Sequence, residues 1–194
     1  MKKTGLYFGS FNPIHLGHLI VAEAFASSGD YDEVWLVVSP HNPLKTFTDL
    51  APQENRLEMV RMSIEGNPLL IASNIEFGLP TPSFTHQTLA ALLELHPDRV
   101  FSILLGEDTK MNFHLWKNYL WILENFSIIF FPREVKSEDP GVIPWSKYRV
   151  STFDGPLIGI SSTLIRERIK KGKSIRYQVP ESVKFYIENQ RLYK

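Results

Sequence analysis

Two histidines three residues apart, His15 and His18, stand in the string Gly9-Ser10-Phe11-Asn12-Pro13-Ile14-His15-Leu16-Gly17-His18. The apolar run Leu6-Tyr7-Phe8 precedes it and an amphipathic segment from Leu19 to Phe25 follows, so the string reads as strand, tight turn and helix start. Gly9 is expected to let the chain leave the strand at dihedrals a side chain forbids, and Pro13 suits the opening of the bend. On a helix the two imidazoles share one face of the first turn, where unpaired N–H groups and the positive dipole end attract an anion. The chemistry this predicts is phosphate binding.

Two plainer readings compete with it. A helical H-x-x-H pair is also a metal motif, but the chain has no Cys, and His41, His86, His96 and His114 offer no companion cluster. A pair of surface histidines is the other.

A second string, Gly159-Ile160-Ser161-Ser162-Thr163-Leu164-Ile165-Arg166, has related chemistry. Ile158 and Ile160 suggest a short buried strand, and the Ser-Ser-Thr run caps a new helix. Arg166 falls one turn in, on the side of Ser162 and Thr163. Without the arginine this is a well-capped helix. With it, hydroxyls, amides and a guanidinium that binds phosphate oxygens bidentately face one point, which predicts an oligophosphate clamp.

These strings must be positioned by a scaffold, and short apolar runs alternating with helical patterns supply it. Strands are predicted at Leu6–Phe8, Glu33–Val38, Leu69–Ala72, Val100–Leu105 and Phe126–Phe131, with helices at Leu19–Phe25, Pro52–Ile64 and Thr85–Leu95 and a helical stretch before the fifth strand. That order implies an α/β fold, a doubly wound parallel sheet covered on both faces. Residues 132–156, rich in proline and mixed charge, read as an irregular surface excursion before the carboxy-terminal helices. In open parallel sheets ligands bind beyond the carboxyl ends of the strands. The loops bearing His15 and His18, Ser39 to Lys45, and Gly106-Glu107-Asp108 therefore converge on one edge. Taken singly, Lys45 reads as a solvated lysine and Asp108 as a helix cap; convergence raises both.

Composition narrows the class. The chain has 194 residues, with 21 basic and 21 acidic side chains that cancel. Generic nucleic-acid binding calls for a basic surplus, so small anionic ligands held by local charges are the better expectation. Absence of Cys excludes disulfides and thiol catalysis. No signal-peptide segment opens the sequence and no apolar run reaches transmembrane length, so a cytoplasmic location without membrane contact is expected. Homo-oligomerisation is left open.

The first string resembles the G-[ST]-F-[DN]-P-[IVP]-H-x-G-H signature of the nucleotidylyltransferase superfamily, and the second its I-S-[SA]-T-x-I-R motif. Further pieces narrow the resemblance to one family, the bacterial nicotinate-nucleotide adenylyltransferases. They are Pro40 to Lys45, Pro82-Ser83-Phe84-Thr85 with Thr88-Leu89, Gly106-x-Asp108 followed by Trp116-Lys117, and the tail around Val179-Pro180 ending Gln190-Arg191-Leu192-Tyr193. The resemblance covers nearly the whole chain. It implies a single nucleotidyltransferase domain over 1–194, with a Rossmann-like core (1–157) and a small helical carboxy-terminal part (158–194).

The reaction implied is transfer of the adenylyl group of ATP to nicotinate mononucleotide, giving deamido-NAD and pyrophosphate, with Mg2+ arriving with ATP. His15, His18 and Arg166 are then the catalytic residues. Gly9, Ser10, Phe11, Gly17, His18, Gly106, Asp108, Ile160, Ser162, Thr163 and Arg166 bind ATP, with the amides of Ser10 and Phe11 touching phosphate. Asn12, Lys45, Phe84, Thr85, Trp116 and Lys117 serve the mononucleotide, Trp116 stacking on its ring and Thr85 meeting its carboxylate. Departures are Asn12 and Gln87 where relatives commonly have Asp, and Phe84 where Tyr is common. Adenylyl transfer to nicotinamide mononucleotide or phosphopantetheine, and a nucleotide sensor without turnover, are the alternatives. The presence of both histidines with Arg166 argues against the sensor.

Overall fold

A computed structural model of the chain describes residues 1–41, 49–133 and 139–194. Its centre is a six-stranded parallel sheet made of β1 (Lys2–Gly9), β2 (Glu33–Val38), β3 (Leu70–Ser73), β4 (Arg99–Gly106), β5 (Ser127–Phe131) and β6 (Val150–Thr152). The strand order is β3-β2-β1-β4-β5-β6, and every pairing is parallel. The order reverses between β1 and β4, which opens a crevice beyond their carboxyl ends. This is the Rossmann-like, doubly wound α/β architecture.

Helices α1 (Leu16–Ala26), α2 (Gln53–Ser63), α5 (Ser162–Lys170) and α6 (Glu181–Asn189) bury Val21, Phe25, Leu57, Val60, Ile165, Val183 and Ile187 in one apolar layer with Leu36, Val38 and Leu104. Helices α3 (Thr85–Leu95) and α4 (Tyr119–Asn125) cover the other face, where Leu89, Leu92, Ile122 and Leu123 pack with Leu6, Val37, Ile103 and Phe130. A strand buried from both sides reads as an apolar run, and β2, buried along its whole length, is apolar from Val34 to Val38, its leading Glu33 being paired with Lys2 and Arg99.

Two expectations are corrected. Residues 132–156 are not wholly irregular, because β6 lies within them and extends the sheet beside β5. It escapes a pattern reading because it is only three residues long and mostly exposed. Conversely, Ile158 and Ile160 form no strand. They are half-buried, Ile160 packing against the core cluster and Ile158 against Gly17.

Candidate active site

A cleft of about 590 Å³ opens at the carboxyl ends of the strands. Each of the first five strands brings to its wall a residue from the segment that follows it: Ser10 after β1, Ser39 after β2, Glu76 after β3, Asp108 after β4 and Arg133 after β5. Ser161, Ser162, Thr163 and Arg166 close one side, and Ser83, Phe84, Thr85, Trp116 and Lys117 line the cleft as well.

The turn after β1 is built differently from the expectation. Gly9 is not in the left-handed region; Phe11 is, at φ 45°. Gly9 is needed because a Cβ there would lie 2.8 Å from the Phe11 ring, which folds back under the strand end. Phe11 and Tyr7, both buried, stand edge-on to each other and to the His18 ring, at 5.1 to 6.0 Å between centroids. Two aromatic rings therefore set where His18 can sit.

His15 is the N-cap of α1, and the two histidines close a reciprocal capping box. The His18 amide donates to His15 Nδ1 and the His15 amide to His18 Nδ1, each at 3.3 Å. Each bond makes Nδ1 the acceptor, so the proton of the neutral ring is on Nε2. His15 is buried, and burial together with the Arg133 guanidinium pushes its pKa down to about 4. It is a neutral donor at neutral pH. The expected anion-binding amides are partly spoken for: the Leu16 amide donates to the Gln178 carbonyl at 2.9 Å and the His18 amide to His15. The side chains must carry more of the work than a bare helix end would.

At the second string Ser161 is the cap, its hydroxyl accepting from the Leu164 amide at 3.2 Å. The first donors of a helix have no intrahelical partner, so the Ser162 and Thr163 amides face outward from the start of α5. Ser162 Oγ donates to the Pro13 carbonyl (2.9 Å). Arg166 Nη1 donates to the Asn12 carbonyl (2.9 Å) and Nη2 to Thr163 Oγ1 (3.5 Å), while Nε is buried without a partner. These bonds lock α5 against the histidine turn.

Most of the predicted residues meet in the cleft: Gly9, Ser10, Phe11, Asn12, His15, His18, Phe84, Thr85, Gly106, Asp108, Trp116, Lys117, Ser162, Thr163 and Arg166. Gly17 and Ile160 do not; they line a small pocket behind His15. A Cβ on Gly17 would meet His15 Nδ1 and Ile158 Cγ2 at 3.0 Å each, so that glycine makes room for the capping ring. Asn12 lines the cleft, but its side-chain amide is engaged elsewhere, donating to the Asp49 carbonyl (2.8 Å) and accepting from the Ala51 amide (3.0 Å). Lys45 lies outside the described residues.

Three residues of the site were not anticipated. Arg56 is buried and donates to the carbonyls of Ala51, Ser10, Ser39 and Pro40 at 2.7 to 2.9 Å, tying the loops after β1 and β2 together. Its place three residues before Met59 and four before Val60 puts it on the apolar face of α2, a signal present in the sequence. Arg133, 3.7 Å from Asp108 Oδ1, and Glu76 both follow strand ends, on the edge where the loops of a parallel sheet converge. Also lining the cleft, Trp116 stacks on Phe113 (4.8 Å) and Lys117 Nζ lies 4.7 Å from the Phe84 ring centroid.

Comparison with known proteins agrees with this geometry. The cytidylyltransferase-like family model matches residues 6–168. A Flavobacterium johnsoniae protein named Probable nicotinate-nucleotide adenylyltransferase is 44% identical over 192 residues, covering 99% of each chain. One of the same name from Flavobacterium psychrophilum is 45% identical over 193 residues, with 99% of each chain covered. The Plasmodium falciparum nicotinic acid mononucleotide adenylyltransferase, solved in complex with NaAD, superposes with a TM-score of 0.84 over 100% of this chain and 98% of that one, at 21% identity. That likeness bears on the fold. With full-length relatives of this identity, the chain belongs to the nicotinate-nucleotide adenylyltransferase family, within the cytidylyltransferase-like nucleotidyltransferases.

Proposed function

We propose that the chain transfers the adenylyl group of ATP to the 5′-phosphate of nicotinate mononucleotide, forming deamido-NAD and pyrophosphate in NAD biosynthesis. The observation that carries this reading is one cleft with two unlike sets of groups. One holds the His15–His18 pair, Ser162, Thr163 and Arg166; the other holds an indole, Phe84 and the start of α3.

The acceptor phosphate is already a nucleophile, so no covalent enzyme intermediate is needed. A phosphate oxygen of the mononucleotide attacks the α-phosphorus in line, the bond from the α-phosphorus to the bridging oxygen breaks, and pyrophosphate leaves with the electron pair. The protein aligns two anions and stabilises the charge that develops between them. His18 and His15 donate from Nε2 to the triphosphate. Arg166 offers a planar two-pronged donor, and the Ser162 and Thr163 amides with the Thr163 hydroxyl hold the outer phosphates. Arg133 adds positive charge beside Asp108, which with Gly106 serves the nucleoside of ATP.

In the second set Trp116 stacks on the pyridine ring. The amides of Thr85 and His86, as the first two donors of α3, have no intrahelical partner and suit its carboxylate. Mg2+ enters as part of the substrate MgATP; among the described residues no group of three or more His, Asp or Glu side chains is disposed to hold a metal. The whole 1–194 chain acts as one unit, residues 158–194 supplying Ser162, Thr163 and Arg166. No helix among the described residues is long and apolar enough to cross a membrane, and we place the reaction in the cytoplasm. The test is incubation with MgATP and nicotinate mononucleotide: dinucleotide and pyrophosphate are expected in equal amounts. ADP and inorganic phosphate instead would reject the reading.

A further inference from the structure

Helix α3 begins without a cap. Its N-cap residue is Phe84, which offers no side-chain hydrogen bond, although this turn carries the amides assigned above to the pyridine carboxylate. Something else must hold it in place.

Glu76 is suited to that task. It lies in a 3₁₀ turn, Ile75–Gly78, after β3, and it is 2% exposed. It lines the cleft with Ser83, Phe84 and Thr85. Its Oε1 accepts from the Thr88 hydroxyl at 2.9 Å, and Thr88, one turn into α3, is fully buried. Oε2 is buried and no donor meets it at hydrogen-bond distance, although the Ser39 and Ser83 hydroxyls stand close enough to the carboxyl to act on its charge. Among the described residues no salt bridge reaches Glu76. Burying a carboxyl without a counter-charge costs stability. A residue serving the fold alone would do better as an apolar one.

We propose that Glu76 is a positioning residue for the mononucleotide: through Thr88 it fixes the uncapped start of α3, and with it the Phe84 ring, the Thr85 hydroxyl and the two leading amides. The inference rests on the function proposed above. Burial raises the Glu76 pKa, the hydroxyls of Thr88, Ser39 and Ser83 opposing. The tether requires an acceptor at Oε1, not a charge.

The test measures KM for ATP and for nicotinate mononucleotide in the wild type, Glu76→Ala, Glu76→Gln and Thr88→Val, with thermal unfolding alongside. Loss of the tether in Glu76→Ala should raise the mononucleotide KM about tenfold or more, as the loss of one well-placed hydrogen bond does. KM for ATP should stay within about twofold, since additivity holds for sites without shared partners. Glu76→Gln keeps an acceptor and should restore most of the loss. Thr88→Val should shift the same KM, and it replaces Glu76→Ala if that variant does not fold. An unmoved mononucleotide KM, equal shifts in both KM values, or a glutamine variant as impaired as the alanine one would overturn the proposal. A wild-type chain inactive on nicotinate mononucleotide would overturn this and the proposed function together, whereas normal wild-type turnover with an unmoved KM in the variants overturns this proposal alone.

Discussion

The rings of His15 and His18 stack with centroids 3.7 Å apart, and each Nδ1 accepts the backbone amide of the other residue. One pair of bonds thus caps α1 and fixes both tautomers, so the fold's local stability and the donors' readiness share the same atoms.

That sharing sets the expectation for His18→Ala. Losing one preorganised donor costs turnover about a hundredfold or more. Losing the acceptor for the His15 amide removes part of a cap, worth about 1 kcal/mol, or a few degrees in Tm for a chain this size. Steady-state kinetics with calorimetry should therefore show a large kinetic and a small thermal effect. Near-normal turnover, or a chain that no longer folds, would contradict the role given to His18.

His15 makes stability depend on pH. Its pKa falls from an ordinary 6.5 to about 4 on folding, so between those values the unfolded chain binds more protons. The stability it contributes is fully present above pH 6.5 and is lost as pH falls to about 4, by about 3 kcal/mol in all. Denaturant titrations of wild type and His15→Asn across this range should differ in slope, the variant being flatter. Parallel slopes would show that His15 titrates normally.

Arg166→Lys keeps the charge but loses the planar fork that reaches the Asn12 carbonyl and Thr163 Oγ1 together. Turnover is expected to fall about tenfold or more, given the strength of charged hydrogen bonds. Wild-type kinetics in the lysine variant would reduce Arg166 to bulk charge.

Arg56→Ala would leave four carbonyl acceptors without their buried donor. A loss of about 3 kcal/mol or more is expected, read from the midpoint of urea unfolding. A shift under about 0.5 kcal/mol, typical of surface changes, would mean that water replaces the guanidinium at no cost.

Strands β1 to β5 were legible because strands buried on both faces are nearly continuous apolar runs, and the two phosphate strings because their residue types have little other use together. The remainder depended on tertiary contacts. At Gly9 the residue type suggests a conformational hinge, but the ring of Phe11, two residues on, is what demands it, and no local pattern announces that approach. Val150–Thr152 becomes a strand only because β5 offers it an edge. Glu76 and Arg133 have unremarkable neighbours in sequence, and their meaning comes from standing past the ends of β3 and β5.

The proposed reaction is adenylyl transfer to the acid form of the mononucleotide. A carboxylate can accept from every donor at the start of α3, whereas a carboxamide presents an NH2 to some of them, and each unpaired buried donor costs about 1–3 kcal/mol. The decisive measurement is kcat/KM for nicotinate and nicotinamide mononucleotide with saturating MgATP. A preference for the acid of about tenfold to a thousandfold is expected. Equal efficiency with the two, or a preference for the amide, would contradict it.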